Sequence, residues 1–155
     1  MSLRDERNLY HIATEQSEVI SHLQSKYIAL RSNISQKGES MDNKTIKELA
    51  VELTVEITAI CDSIKGRSVF VNQLLRSCSS IGANAHEAKY AQSTADFINK
   101  LEIALKECYE TEYWLEILFK VNAINDITFK ALISKSGTIR RKLIASITTA
   151  KKNKE

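Results

Sequence analysis

The sequence contains no proline among its 155 residues, although ordinary usage of about 5% would give roughly eight. Proline lacks an amide donor and clashes with the preceding turn, so helix interiors exclude it. Glycine, the other residue that interrupts helices, occurs only four times. A chain with so few helix breakers is expected to be mostly α-helix.

The absence of long apolar segments and the pattern of cysteines both bear on where in the cell the protein resides. No apolar run approaches the roughly 18 residues of a membrane-spanning helix, and the first ten residues lack the apolar segment of a signal peptide. The cysteines, Cys61, Cys78 and Cys108, are far apart and odd in number, so they predict buried free thiols rather than a disulfide framework. These features favour a cytoplasmic protein without a membrane partner.

The sequence also lacks the spacing of known catalytic, metal or cofactor sites. The segment from His86 resembles the HExxH zinc motif, but Tyr90 stands where the second histidine is required. No histidine has a carboxylate three residues before it, which excludes a di-iron bundle site, and the scattered glycines form no phosphate-binding loop. Glu107 and Glu110 are expected to form salt bridges rather than to carry acid–base chemistry. We therefore expect a protein that is not an enzyme and holds no metal or cofactor.

Apolar residues at helical spacing divide the chain into five predicted helices. A heptad pattern from Ala13 to Ile34 marks the first, over residues 3–34. The other four are expected over residues 44–64, 69–91, 95–121 and 127–150. Short connections make neighbouring helices antiparallel. The sequence thus predicts an all-α antiparallel bundle, with an N-terminal helical extension in residues 1–40 outside a four-helix domain in residues 41–155.

The ends of these helices also have sequence signals. Polar residues that precede each apolar pattern are the expected N-caps: Asp42 or Asn43, then Ser68, then Ser93 or Thr94. Gly137 is a candidate position for a kink or break in the last helix, and residues 151–155 are expected to fray. Small residues around Gly82 predict that another helix approaches the third closely, which would offset the cost of a glycine in a helix.

The third predicted helix carries a polar stripe beside its apolar one. If the third and fourth helices form a hairpin that turns near residue 92, the numbers of facing residues sum to about 185. This register places a buried Arg76 opposite Glu107 and Glu110, and Glu87 opposite Lys100 or Phe97. We expect an interhelical or intersubunit polar network, with a solvated face as the alternative. Its expected members are Gln73, Arg76, Ser80, Asn84, Glu87, Glu107, Glu110 and Trp114.

Several blocks of this region resemble one known family. They are residues 73–88 (QLLRSCSSIGANAHEA), Asp96-Phe97, Lys100-Leu101, residues 104–107 (ALKE), Glu110-Thr111 and Tyr113-Trp114-Leu115. Their order and spacing are similar to those of the four-helix-bundle proteins encoded in intervening sequences of bacterial 23S ribosomal RNA genes. The resemblance covers roughly residues 44–152. Cys78 departs from it, because the family has a glycine there.

The resemblance implies an up-and-down four-helix bundle that assembles into a homopentameric ring. It also implies kinship with the accessory variability determinant of diversity-generating retroelements, which binds nucleic acid and a reverse transcriptase. The leading hypothesis is therefore a non-enzymatic, self-assembling helical protein that binds RNA or DNA. The alternative is a protein-interaction scaffold without a nucleic-acid role, in which the heptad pattern of residues 13–34 recruits a partner helix.

The charge distribution bears on the nucleic-acid hypothesis. The net charge is +3, but residues 130–155 hold eight basic residues and one acidic residue, so this segment carries +7. The candidate nucleic-acid contacts are Lys130, Lys135, Arg140, Arg141, Lys142, Lys151, Lys152 and Lys154. They do not all share one helix face, and a solubilising role is the alternative reading.

Overall fold

A computed structural model describes residues 43–153, and these residues form four α-helices with no strand among them. The helices are α1 (Ile46–Cys61), α2 (Ser68–Glu87), α3 (Thr94–Lys120) and α4 (Asp126–Lys152), and a 3-10 helix (Ala88–Tyr90) follows α2. The all-α prediction is confirmed. The predicted N-terminal helix lies outside the described residues.

The helices pack as a closed square. Helix α1 contacts α2 and α4, and α3 contacts the same two neighbours, while no contact crosses either diagonal of the four described helices. Ion pairs between α2 and α3 join Arg76 to Glu110 and Glu87 to Lys100, so residue number rises along one helix as it falls along the other. The described residues therefore form an antiparallel, up-and-down four-helix bundle.

Helix α1 begins with a capping box. The Thr45 hydroxyl accepts a hydrogen bond from the Glu48 amide at 3.2 Å, and the Glu48 carboxylate accepts one from the Thr45 amide at 2.8 Å. The prediction of Asp42 or Asn43 as the N-cap is wrong. Three residues of the types that cap helices, Asp42, Asn43 and Thr45, precede the apolar pattern here, and only Thr45 is followed by a glutamate at the spacing that completes the box.

The connection between α1 and α2 also differs from the prediction. Gly66 adopts a φ of +73°, a left-handed conformation that favours glycine. Arg67 then occupies the N-cap position without a side-chain cap, and Ser68 is the first helical residue rather than the cap. The Arg67 guanidinium instead donates to the Val121 carbonyl at 2.9 Å, which ties this connection to the end of α3.

The last two helices begin with side-chain caps, from Ser93 for α3 and from Asn125 for α4. Ser93 was one of the two predicted caps. Helix α4 runs through Gly137 without a break, and it continues to Lys152, two residues beyond its predicted end. The expectation of fraying is therefore wrong for Lys151 and Lys152, while residues 154–155 lie outside the described residues.

Close packing of α1 against α2 depends on small side chains. A methyl group built on Gly82 would lie 3.4 Å from the Ala50 Cβ atom, and the Thr54 hydroxyl donates to the Cys78 carbonyl at 3.3 Å. Ala50 and Cys78 are fully buried in the core, which they share with leucine and isoleucine side chains from all four helices. The predicted close approach at Gly82 is confirmed, with α1 as the neighbour.

Substitutions at Gly82 measure the space in this contact. Gly82→Ala is expected to raise the free energy of unfolding by up to about 1 kcal/mol, because alanine favours the helix and its methyl makes an ordinary contact with Ala50. Gly82→Leu is expected to lower it by about 1–3 kcal/mol through overpacking. Urea unfolding measures both, with Ala83→Leu at an exposed position as the control. Tolerance of leucine at both positions would contradict the close approach.

Candidate functional site

The polar residues of α2 and α3 meet around Arg76. Its guanidinium pairs with Glu110 and, at 3.4 Å, with Glu107, and its Nε donates to the Gln73 side-chain oxygen at 3.1 Å. The Trp114 indole donates to the same Glu110 carboxylate at 3.1 Å. Five of the eight predicted network residues therefore form one connected cluster, and the predicted pairing of Arg76 is confirmed.

This cluster lies at the surface, so the expectation of a buried arginine is wrong. The Arg76 side chain is 49% exposed, whereas Glu107 and Glu110 are 18% and 33% exposed. Each helix residue turns the chain by about 100°, so Arg76 lies about 200° around α2 from the buried Leu74. The guanidinium consequently spans the outer edge of the contact between the two helices.

The three remaining predicted network residues follow along the same side of α2 but are not joined to the cluster. Glu87 pairs with Lys100 at 2.5 Å, as the hairpin register predicts. The Asn84 side chain donates to the Ser80 carbonyl at 2.9 Å, which is a contact within α2. Ser80 and Asn84 therefore cover the helix surface between two separate ion-pair clusters.

Beneath the Arg76 cluster lies a polar contact that the sequence analysis missed. The Thr111 hydroxyl donates to the Ser77 hydroxyl at 3.0 Å, and both side chains are fully buried. The Ser77 hydroxyl donates its proton to the Leu74 carbonyl at 3.1 Å, and the Glu107 carbonyl, 2.8 Å from the Thr111 oxygen, is an alternative acceptor for the single Thr111 proton, so each hydroxyl is hydrogen-bonded. A signal was present, because both residues stand at core positions of their helices where apolar side chains were expected.

Aromatic side chains continue the surface beyond the cluster. The Phe70 ring stacks on Trp114 with 6.0 Å between centroids, and the Tyr113 ring meets Trp114 edge-on at 4.9 Å. Tyr113 is 55% exposed, and Val69, which lies two turns before Arg76 on the same side of α2, is 67% exposed. We call Val69, Gln73, Arg76, Glu110, Tyr113 and Trp114 the α2/α3 face.

Several of the candidate nucleic-acid contacts instead hold the bundle together. Lys135 is the clearest case, since its ammonium pairs with Glu56 and lies 3.7 Å from Glu52 between α4 and α1. The Lys135 and Glu56 side chains are only 13% and 6% exposed. Lys135 is therefore engaged between two helices and little exposed, which does not support its predicted role as a nucleic-acid contact.

Arg140 has a comparable structural role between α4 and α3. Its Nε pairs with the Glu112 carboxylate at 3.1 Å, and the same oxygen accepts a bond from the Ser136 hydroxyl at 3.2 Å. The guanidinium also lies over the Tyr109 ring, 5.6 Å from its centroid. Lys151 pairs with Glu102 at 2.7 Å near the end of the same helix pair.

The other basic residues of α4 are more accessible. Lys130 pairs with Asp126 at 2.7 Å but remains 74% exposed, Arg141 and Lys152 are exposed, and Lys142 is half-buried. Lys154 lies outside the described residues. The basic residues thus divide between interhelical contacts and solvent, as expected from their distribution around the helix.

The cysteines of the described bundle are buried and free. Burial raises the pKa of the Cys61 thiol to about 12 and the pKa values of Cys78 and Cys108 to about 11. All three are therefore protonated at neutral pH. Within residues 43–153, no group of three or more histidine, cysteine, aspartate or glutamate side chains is placed to hold a metal ion. No helix in that range has the length and apolarity to cross a membrane.

Removal of the Lys135 ammonium tests the ion pair between α1 and α4. Lys135→Ala is expected to lower the free energy of unfolding by about 3–5 kcal/mol, because it leaves the buried Glu56 carboxylate without its partner. Lys130→Ala removes the same charge from an exposed pair four residues apart and is expected to cost less than about 1 kcal/mol. Equal losses in urea unfolding would contradict a special role for Lys135.

Removal of the Arg76 guanidinium should have a small effect that depends on pH. Hydrogen bonds from Arg76 and then Trp114 lower the pKa of Glu110. A carboxyl group whose pKa is lower in the folded protein stabilises the fold at pH values above its unfolded-state pKa of about 4.3. This stabilisation is lost as the pH falls through the pKa of the folded state. Arg76→Gln is expected to cost less than about 1 kcal/mol at pH 7, since the pair is exposed.

The measurement is urea unfolding of the wild type and Arg76→Gln at pH 7 and at pH 3. The difference between the two proteins should be smaller at the lower pH, because the contribution of the pair is lost as pH falls through the lowered pKa of Glu110. Lys106→Gln, at an exposed position of α3, is the control for loss of one positive charge. An unchanged difference at both pH values would show that the Arg76 side chain acts through packing instead.

The comparisons with known proteins agree with this geometry. The family model described as 23S rRNA-intervening sequence protein matches residues 42–145. A crystal structure of a protein of unknown function from the S23 ribosomal protein family of Bacteroides thetaiotaomicron is 42% identical, with a TM-score of 0.63. The match covers 66% of this chain and 95% of that one. No curated protein matches. The chain therefore belongs to the 23S rRNA-intervening sequence protein family.

Proposed function

We propose that this protein is a non-enzymatic helical scaffold that assembles with copies of itself through the α2/α3 face. The observation that carries the proposal is the exposure of Tyr113 and Val69 beside the ion-paired Arg76. Tyrosine, tryptophan and arginine are the residues most enriched at the energetic centres of protein interfaces. Fixed charges beside exposed apolar groups also give an interface its orientation.

The arrangement of the cluster supports assembly in a second way. Arg76 is held by Glu107, Glu110 and Gln73, and Trp114 is held by Phe70 and Tyr113. Side chains that are already ordered lose less conformational entropy on association than free ones. The α2/α3 face therefore offers a surface that is ordered before a partner arrives.

We propose a homopentamer, which rests on the family resemblance. A cytoplasmic location fits the three free thiols, because a reducing compartment keeps such thiols from forming disulfides. A scaffold that binds a different protein through the same α2/α3 face is the alternative. The heptad pattern of residues 13–34 that would support such a partner lies outside the described residues.

Binding of RNA or DNA is a second candidate function. The observation that favours it is the composition of α4, which has seven basic residues and a single acidic one, Asp126. Assembly into a ring would bring several such helices together and raise the local positive potential, even though each chain carries only +3.

Light scattering at micromolar concentration tests the assembly. Tyr113→Glu is expected to reduce the mass from about five chains to one, because it places a charge at the centre of the proposed interface. Val51→Glu is the matched control, since Val51 is 52% exposed on the outer side of α1. A wild-type monomer would contradict self-assembly. Dissociation by Val51→Glu but not by Tyr113→Glu would contradict the α2/α3 face as its site.

A further inference from the structure

The outward side of α4 carries a single carboxylate, Asp126 in its first turn, which is 54% exposed and pairs with Lys130. Residues at intervals of three or four positions point away from α1 and α3, and all are exposed except the half-buried Thr138. We call this surface the outer stripe of α4. Its members are Ile127, Lys130, Ser134, Thr138, Arg141, Ala145, Thr148 and Lys152.

The cations of the outer stripe recur at equal intervals. Lys130, Arg141 and Lys152 are each 11 residues apart, which corresponds to about 16.5 Å along an α-helix. The three cations together span about 33 Å, close to the length of about 34–36 Å for one turn of a B-form DNA duplex. A helix that lies along the duplex axis would therefore place Lys130 and Lys152 near phosphates about one turn apart.

Of the three cations of the outer stripe, Lys130 pairs with Asp126 at 2.7 Å, and the other two have no carboxylate partner among the described residues. Arg141 donates to the Thr138 hydroxyl at 3.0 Å, and within the described residues neither Arg141 nor Lys152 forms an ion pair. The exposed charges of α3 differ, because Lys106 and Lys120 are accompanied there by Glu116. A surface that serves only solubility would be expected to mix both signs in this way.

We infer that the outer stripe of α4 binds the phosphate backbone of a nucleic-acid duplex without reading its sequence. The cations would contact phosphates, and the hydroxyls of Ser134, Thr138 and Thr148 can donate hydrogen bonds to phosphate oxygens. The stripe contains no aromatic side chain on which an unpaired base could stack, so a duplex suits it better than a single strand. This inference deepens the second candidate function and assigns residues to it.

The test is a salt series of duplex binding by the full chain, measured by fluorescence anisotropy with 30-base-pair RNA and DNA duplexes. Three phosphate contacts on one stripe predict that Kd weakens about 40-fold between 50 and 200 mM salt. The double variant Arg141→Gln with Lys152→Gln should reduce this change to about 4-fold, because one contact remains. Similar behaviour of the two duplexes is expected, since phosphate is common to both.

Matched variants separate the outer stripe from net charge. Lys65→Gln with Lys120→Gln removes two exposed charges elsewhere and should leave the salt dependence unchanged. Ala145→Glu adds a negative charge within the outer stripe and should weaken binding at least tenfold, while Ala95→Glu adds the same charge at the start of α3 and should not. Equal losses from the stripe variants and their controls would overturn the inference.

Three other results would also overturn it. These are the absence of duplex binding at 50 mM salt, a preference for single-stranded RNA, and equally tight, variant-sensitive binding to phosphatidylglycerol vesicles. Light scattering on the same samples distinguishes this inference from the proposed assembly, because the stripe variants should keep the wild-type mass. A changed mass would make the outer stripe a contact between copies rather than a nucleic-acid site.

Discussion

The register between α2 and α3 determines what the α2/α3 face can be. The buried hydrogen bond between Thr111 and Ser77 fixes this register, because a slip by one helical turn would separate the two hydroxyls in a core that offers few other polar partners. Arg76 meets Glu107 and Glu110 directly above this contact. The surface ion pairs are individually weak, so their positions follow from the core rather than determine it.

The charges of α4 have two different uses in the bundle. Lys135 points toward α1 and pairs with Glu56, and Arg140 points toward α3 and pairs with Glu112. A buried pair of this kind adds little net stability over an apolar contact, but loss of one partner is costly, and this asymmetry favours a single arrangement of the helices. The residues left on the outer stripe carry the positive charge that remains available to a partner.

The fold could be predicted from the sequence because helical periodicity and the absence of proline are local properties. The pairing of Arg76 followed from one further inference, the position of the turn near residue 92. The role of Lys135 could not be found in this way. A lysine beside an apolar seam looks the same whether it faces solvent or a neighbouring helix, and only the packing of α1 against α4 places Glu56 beside it. The N-cap of α1, by contrast, could have been found in the sequence, because Thr45 has a glutamate three residues later and Asp42 and Asn43 do not.

One chain can use the α2/α3 face and the outer stripe of α4 at the same time, because α2 and α4 are not in contact. Helix α4 contacts α1 and α3 but not α2, so the outer stripe of α4 and the α2 side of the α2/α3 face lie on opposite sides of the described bundle. Copies that associate through the α2/α3 face would therefore leave each outer stripe accessible. Several stripes on one assembly would add their phosphate contacts, and the affinity for a long duplex would rise with the number of copies even if each stripe binds weakly.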